Sequence, residues 1–191
     1  MNAERRALAT RSFRRCEDGV AAVEFALVLP LLLSFVLGVT EVVYRIGVRW
    51  DVQAYNFQIG DYLSRAEELT DADFQNVYDV RDHVMQTTRS SSTDVSFRIM
   101  SIGYDVDDEP VLLWDETKGS TPPPVDLSGA ADLAIHGQTV LLAVSRVTTP
   151  SFFGTSEITL TRESYFRPRV TRAIALNGSL TEGPDEIEGY Y

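Results

Sequence analysis

Between Val20 and Val39 the chain runs for twenty residues with a single charge, Glu24. Built as a helix at about 1.5 Å per residue, the run measures roughly 30 Å, the hydrocarbon thickness of a bilayer. Thirteen of the twenty are Val, Leu or Phe. At the bilayer centre each contributes roughly −0.3 to −0.6 kcal/mol to insertion, against a cost of about +3 for one carboxylate. Glu24 stands only five residues into the run, where its cost is smaller than at the centre. The balance predicts a transmembrane helix over 20–41, closed by Glu41 as the charge at the membrane exit.

The residues before the run read as a leader. Residues 1–19 carry Arg5, Arg6, Arg11, Arg14 and Arg15 against Glu4, Glu17 and Asp18, a net charge of +2. The whole chain is −11, so the rest is −13. Five arginines on one side of the span and only Arg45 and Arg49 on the other orient it with the N-terminus in the cytoplasm. In a bacterium the C-terminal part is then periplasmic. An ordinary secretory signal has a shorter apolar core and a small-residue cut after it. Here the core is longer, and Val39-Thr40-Glu41-Val42 offers no such cut. The one cysteine, Cys16, lies in the leader, so a chain without the leader has no thiol for a disulfide or a metal.

Glu24 is the informative oddity, because an ionisable group inside a membrane segment is a functional hypothesis by default. It is the fifth residue after Gly19. Gly19-Val20 with a glutamate at that spacing, a basic leader and an otherwise uncharged run resembles the type IV prepilin processing site. The string Ala22-Val-Glu-Phe-Ala-Leu-Val-Leu-Pro30, with Gly38 and Glu41 closing the helix, looks more narrowly like the TadE-like pseudopilins of tight-adherence (Flp) pilus systems. The motif spans about a sixth of the chain. The resemblance implies that a prepilin peptidase cuts between Gly19 and Val20. It also implies that Glu24 meets the new amine of a neighbouring subunit during assembly. Its partners would be the inner membrane, the peptidase, other pilins or pseudopilins and the assembly platform. The protein either stays in the inner membrane as a single-pass protein or is incorporated in a pilus. Pro30 removes a backbone donor inside the helix and is expected to bend or loosen it.

Beyond the bilayer the helix is expected to continue to about Leu69. Val43, Ile46, Trp50, Ala54 and Phe57 recur at steps of three and four, followed by Ile59, Leu63, Ala66 and Leu69. Trp50 reads as a core residue and Gly47 and Gly60 as local weak points, with close packing the lesser option at Gly47. Thr70 or Asp71 starts a second helix over about 72–88, with Phe74, Val77, Val84 and Met85 on one face. Period-two alternation then predicts a strand at 94–103, a hairpin partner at 111–114, and strands at 139–148 and 157–166, with a helical turn near 130–133. The nearly continuous apolar run at 139–148 suits a central strand. Pro150 to Gly154 reads as a loop carrying aromatics. The predicted architecture is α+β and pilin-like: a long N-terminal transmembrane helix, a second helix and an antiparallel sheet of about four strands. Its parts are the leader 1–19, the span 20–41, a periplasmic domain 42–176 and an acidic flexible tail 177–191.

Several function classes find no support in the residues. An acidic chain whose one lysine is Lys118 lacks the cations that nucleic-acid binding needs. No nucleophile elbow, phosphate-cradling loop or zinc-protease motif is present. No catalytic residue, cofactor or metal ligand is assigned, and the chain reads as structural, not as an enzyme. His83, beside Asp79 and Asp82, reads as a surface pair. Ser145 with His136 makes a hydrolytic arrangement only on paper. The acidic loop Asp105, Asp107, Asp108 and Glu109 reads as a solvated turn, with calcium the sharper option. The alternative function is an uncleaved single-span periplasmic scaffold or binding protein.

Overall fold

The computed structural model describes residues 2–88, 92–105, 107–133, 135 and 137–180, and side chains from residue 19 onward. The chain divides into two compact units, Met1–Val43 and Tyr44–Tyr191. One helix, α1 (Asn2–Leu63), contributes to both. The first unit is described only by this helix.

The second unit is α+β. A four-stranded antiparallel sheet is formed by β2 (Asp94–Tyr104), β3 (Pro110–Lys118), β4 (Val140–Pro150) and β5 (Glu157–Phe166), in the order β3-β2-β4-β5. The last strand keeps the bounds that its alternation predicts. β4 lies between β2 and β5, as its apolar run requires, because both of its faces are covered. Leu141, Ala143 and Val147 join the core under α1, while Leu142 and Val144 join a second cluster with Met100, Ile102 and Ala130. A 3-10 helix, Ser128–Leu133, supplies Ala130 to that second cluster. Two short parallel strands, β1 (Glu68–Leu69) and β6 (Ala175–Leu176), close the unit. Trp114 donates its indole N–H to the Ile174 carbonyl at 2.8 Å, holding the C-terminal segment against the core.

Three local expectations need correction. The first helix ends at Leu63, not Leu69. Ser64 turns its hydroxyl to the Asp61 carbonyl, and its own carbonyl accepts from the Arg169 N–H at 2.9 Å. Leu69 is buried as the periodicity suggests, but from strand β1. The second helix is shorter and interrupted: α2 (Asp71–Asp79) is followed by α3 (Arg81–Val84). Thr70 caps α2, its N–H and hydroxyl both donating to the Asp73 carboxylate. The chain then leaves the helix because the Thr87 N–H is drawn to the Asp51 carboxylate at 2.6 Å. Finally, Trp50 is not core: it is 66% exposed.

That last correction concerns the helix face. The buried residues of α1 in the second unit are Val48, Val52, Tyr55, Ile59 and Leu63. At 100° per residue they lie opposite the stripe Ile46, Trp50 and Phe57, which is exposed. The glycines belong to the buried side's fit. A Cβ at Gly60 would run into the Phe166 ring, and one at Gly47 would press on Thr87. Both allow close packing, which was the lesser option at Gly47 and unexpected at Gly60.

Asn56 also lies on the buried face. Its amide donates to the Ala143 carbonyl at 3.2 Å and to the Ser164 hydroxyl at 2.8 Å, and its oxygen accepts from the Ser145 hydroxyl at 2.7 Å. A buried amide so satisfied costs little and fixes one rotation of the helix on the sheet.

Asn177 and Gly178 form a turn with positive φ. The Asn177 N–H donates to the Leu69 carbonyl at 2.9 Å. Most of the expected acidic tail, residues 181–191, lies outside the described residues, as does His136.

Candidate functional site

The predicted site residues Gly19, Val20, Glu24, Pro30 and Glu41 all lie on α1, strung along its length rather than gathered in a pocket. Every residue from 19 to 39 is exposed. Gly19–Leu63 contains the one helix among the described residues that is long and apolar enough to cross a membrane, with a mean hydropathy of 2.5 over its best window. An apolar surface of that length is stable in water only if something covers it.

Val20 and Glu24 stand four residues apart and so share a helix face. A Cβ at Gly19 or Gly38 would meet nothing described within 4 Å. The chain's own packing therefore gives no reason for glycine at either place. The helix runs through Pro30 without a break. The Ser34 hydroxyl donates back to the Pro30 carbonyl at 2.8 Å, and Thr40 does the same to Val36 at 2.9 Å. Hydroxyls turned onto the preceding helical turn keep their polarity satisfied in an apolar setting.

The other candidate groups have structural employment. Ser145 is fully buried and its hydroxyl is committed to Asn56. His83 sits on α3 beside Asp82. In the acidic loop one Asp105 carboxylate oxygen accepts from the N–H groups of Asp107 and Glu109, both at 2.9 Å, and Asp108 takes a left-handed φ of 61°. Among the described residues no group of three His, Cys, Asp or Glu side chains is placed to hold a metal ion.

A groove of about 360 Å³ lies within the second unit, lined by Tyr55, Gln58, Ile59, Tyr62, Asn76, Val77 and Val80. The Tyr55 hydroxyl donates to the Val77 carbonyl at 3.3 Å, and burial pushes its pKa well above the ordinary tyrosine range. The groove is an apolar surface feature with no set of converging reactive groups. Sequence reading missed it because it forms where α1 and α2 meet, which periodicity along either helix does not reveal.

The comparison that bears on function falls on the exposed helix. Residues 19–49 match the family model described as TadE-like protein. The match begins at Gly19 and covers Glu24, Pro30 and Glu41, about a sixth of the chain. The resemblance drawn from Gly19 and Glu24 thus agrees with an independent comparison over the same residues. A TadE-like segment supports association with tight-adherence pili and with a membrane. Comparison with curated proteins and with solved structures finds no match.

Proposed function

We propose that the protein is a minor pilin or pseudopilin that acts structurally, not as an enzyme, in assembling a tight-adherence (Flp) pilus or a related secretion system. The observation that carries this reading is the TadE-like match starting at Gly19, on a helix whose apolar surface the chain itself leaves uncovered. In this proposal the leader 1–19 stays cytoplasmic, α1 crosses the inner membrane and the second unit is periplasmic. Prepilin peptidase cuts the Gly19–Val20 bond and leaves an amine one helical turn from Glu24. A carboxylate in lipid is costly unless paired. The new amine of a neighbouring subunit supplies the opposite charge and fixes the register between the two helices. The apolar faces of α1 then leave lipid together and pack on one another or on other pilins.

The deciding experiment is the intact mass of the protein from membranes that contain its prepilin peptidase. A chain beginning at Val20, with or without one added methyl group, is the expected result. A chain beginning at Met1 or Asn2 would mean that Gly19 is not used, and an uncleaved single-span scaffold would replace the pilin reading. Glu24→Gln is expected to insert normally and to lower pilus output. Unchanged output from that variant would remove the assembly role of Glu24.

A further inference from the structure

The two ends of the sheet differ in chemistry. At one end the β2–β3 connection carries Asp105, Asp107, Asp108 and Glu109. At the other, the β4–β5 connection belongs to a ten-residue stretch, 147–156, with no charge. Pairing of Asp94 with Thr148 and of Ile102 with Val140 puts these turns at opposite ends of β4. Eleven residues of strand at about 3.3 Å each hold them roughly 30 Å or more apart. On the uncharged turn Phe152 is 40% and Phe153 47% exposed, their rings edge to face at 5.0 Å.

The aromatic turn is held by Tyr44. The Tyr44 ring packs edge to face on Phe152 at 5.8 Å, and its hydroxyl donates to the Pro150 carbonyl at 3.2 Å. Tyr44 stands only five positions along the chain from Val39, the last residue of the apolar run. Helical chain advances about 1.5 Å per residue, so that connection is about 7.5 Å long. One headgroup layer is about 5–8 Å thick. The turn also satisfies much of its own backbone. The Gly154 N–H donates to the Ser151 carbonyl at 2.8 Å, and the Thr155 and Ser156 N–H groups donate to the Ser151 hydroxyl at 3.1 and 3.3 Å. Backbone so paired tolerates a poorly hydrated setting.

We propose that the Phe152–Phe153 turn is a second membrane contact, seated in the headgroup layer of the bilayer that α1 crosses. The occupant of this apolar tip is the lipid surface. The membrane is singled out by the short chain connection to the span and by a ten-residue absence of charge in a strongly acidic unit. The contact fixes the second unit at two points instead of one, and within that unit the acidic turn lies at the opposite end of β4. The inference rests on the reading of α1 as a membrane span.

The test uses the full chain with Cys16→Ser, which removes its one thiol, reconstituted in phospholipid vesicles. Spin labels are placed singly at Ser34→Cys in the span, Thr155→Cys in the turn and Asp108→Cys in the acidic turn. The reading is the ratio of collision with oxygen, which partitions into lipid, to collision with a water-soluble nickel chelate. The expected ratio is high at 34, intermediate at 155 and several-fold lower at 108. Adding Phe152→Ser and Phe153→Ser is expected to drop the ratio at 155 to that at 108. A label at 155 that matches 108 with both phenylalanines present overturns the proposal while the span stands. A label at 155 shielded from both reagents also overturns it, and points to packing against a second copy. A water-exposed label at 34 overturns the span reading itself.

Discussion

Between Tyr44 and Leu63 helix α1 carries two apolar faces, and they meet different fates. Val48, Val52, Tyr55, Ile59 and Leu63 are buried in the second unit. Ile46, Trp50 and Phe57, on the opposite side, remain exposed. Hydrophobic burial is non-directional and both stripes are apolar, so apolarity alone does not name the face that turns inward. The difference lies in fit. The buried face has Gly60 where the Phe166 ring approaches and Asn56 where Ser145, Ser164 and Ala143 offer matching polar atoms. Contact shape and paired hydrogen bonds chose the face, and the choice leaves Trp50 available to whatever α1 meets outside the chain.

Substitutions on the two faces should therefore separate widely, read by chemical denaturation of the full chain in detergent. Leu63→Ala opens a cavity in the core and is expected to cost about 2–5 kcal/mol. Asn56→Leu keeps the volume but strands Ser145 and Ser164, and should cost about 1–3 kcal/mol. Adding Ser145→Ala and Ser164→Ala is expected to recover most of that loss, since no hydroxyl is then stranded. If the triple variant is as weak as Asn56→Leu alone, the polar match is not what selects the face.

Tyr55→Phe removes one buried hydrogen bond, to Val77, and should cost about 0.5–1.5 kcal/mol near neutral pH. Its larger signature is at high pH. The folded state holds Tyr55 neutral because of burial, whereas the unfolded chain ionises it near pH 10. Its contribution is intact below about pH 10 and is lost as the pH rises above that value. The alkaline decline in stability should be shallower in Tyr55→Phe than in the native chain. Trp50→Ser, on the exposed face, is expected to change stability by no more than about 0.5 kcal/mol. A loss like that of Leu63→Ala would mean that both faces are buried and would dissolve the comparison.

Strand β5 and the central place of β4 were legible because alternation and a continuous apolar run report directly how many faces of a strand are covered. Gly19 and Glu24 stood out because one carboxylate in an uncharged run is conspicuous without a fold. The end of the second helix at Val84, short of residue 88, was not legible. It depends on Asp51, thirty-six positions before Thr87, and no local pattern encodes a partner so distant. The role of Asn56 was hidden for the same reason: its partners lie 87 to 108 positions away. Trp50 misled because a helical stripe shows that a face is apolar without showing what covers it.

The sequence by itself determined that residues 20–39 form an apolar helix needing a non-aqueous partner, and that a small antiparallel sheet follows. Both depend on composition and period, which are local properties. Only the tertiary structure decided which face of α1 meets the sheet, where the second helix ends, and that Phe152 packs on Tyr44 at the uncharged end. Those outcomes depend on steric fit and directional hydrogen bonds between residues far apart in the chain, terms that a one-dimensional pattern does not contain.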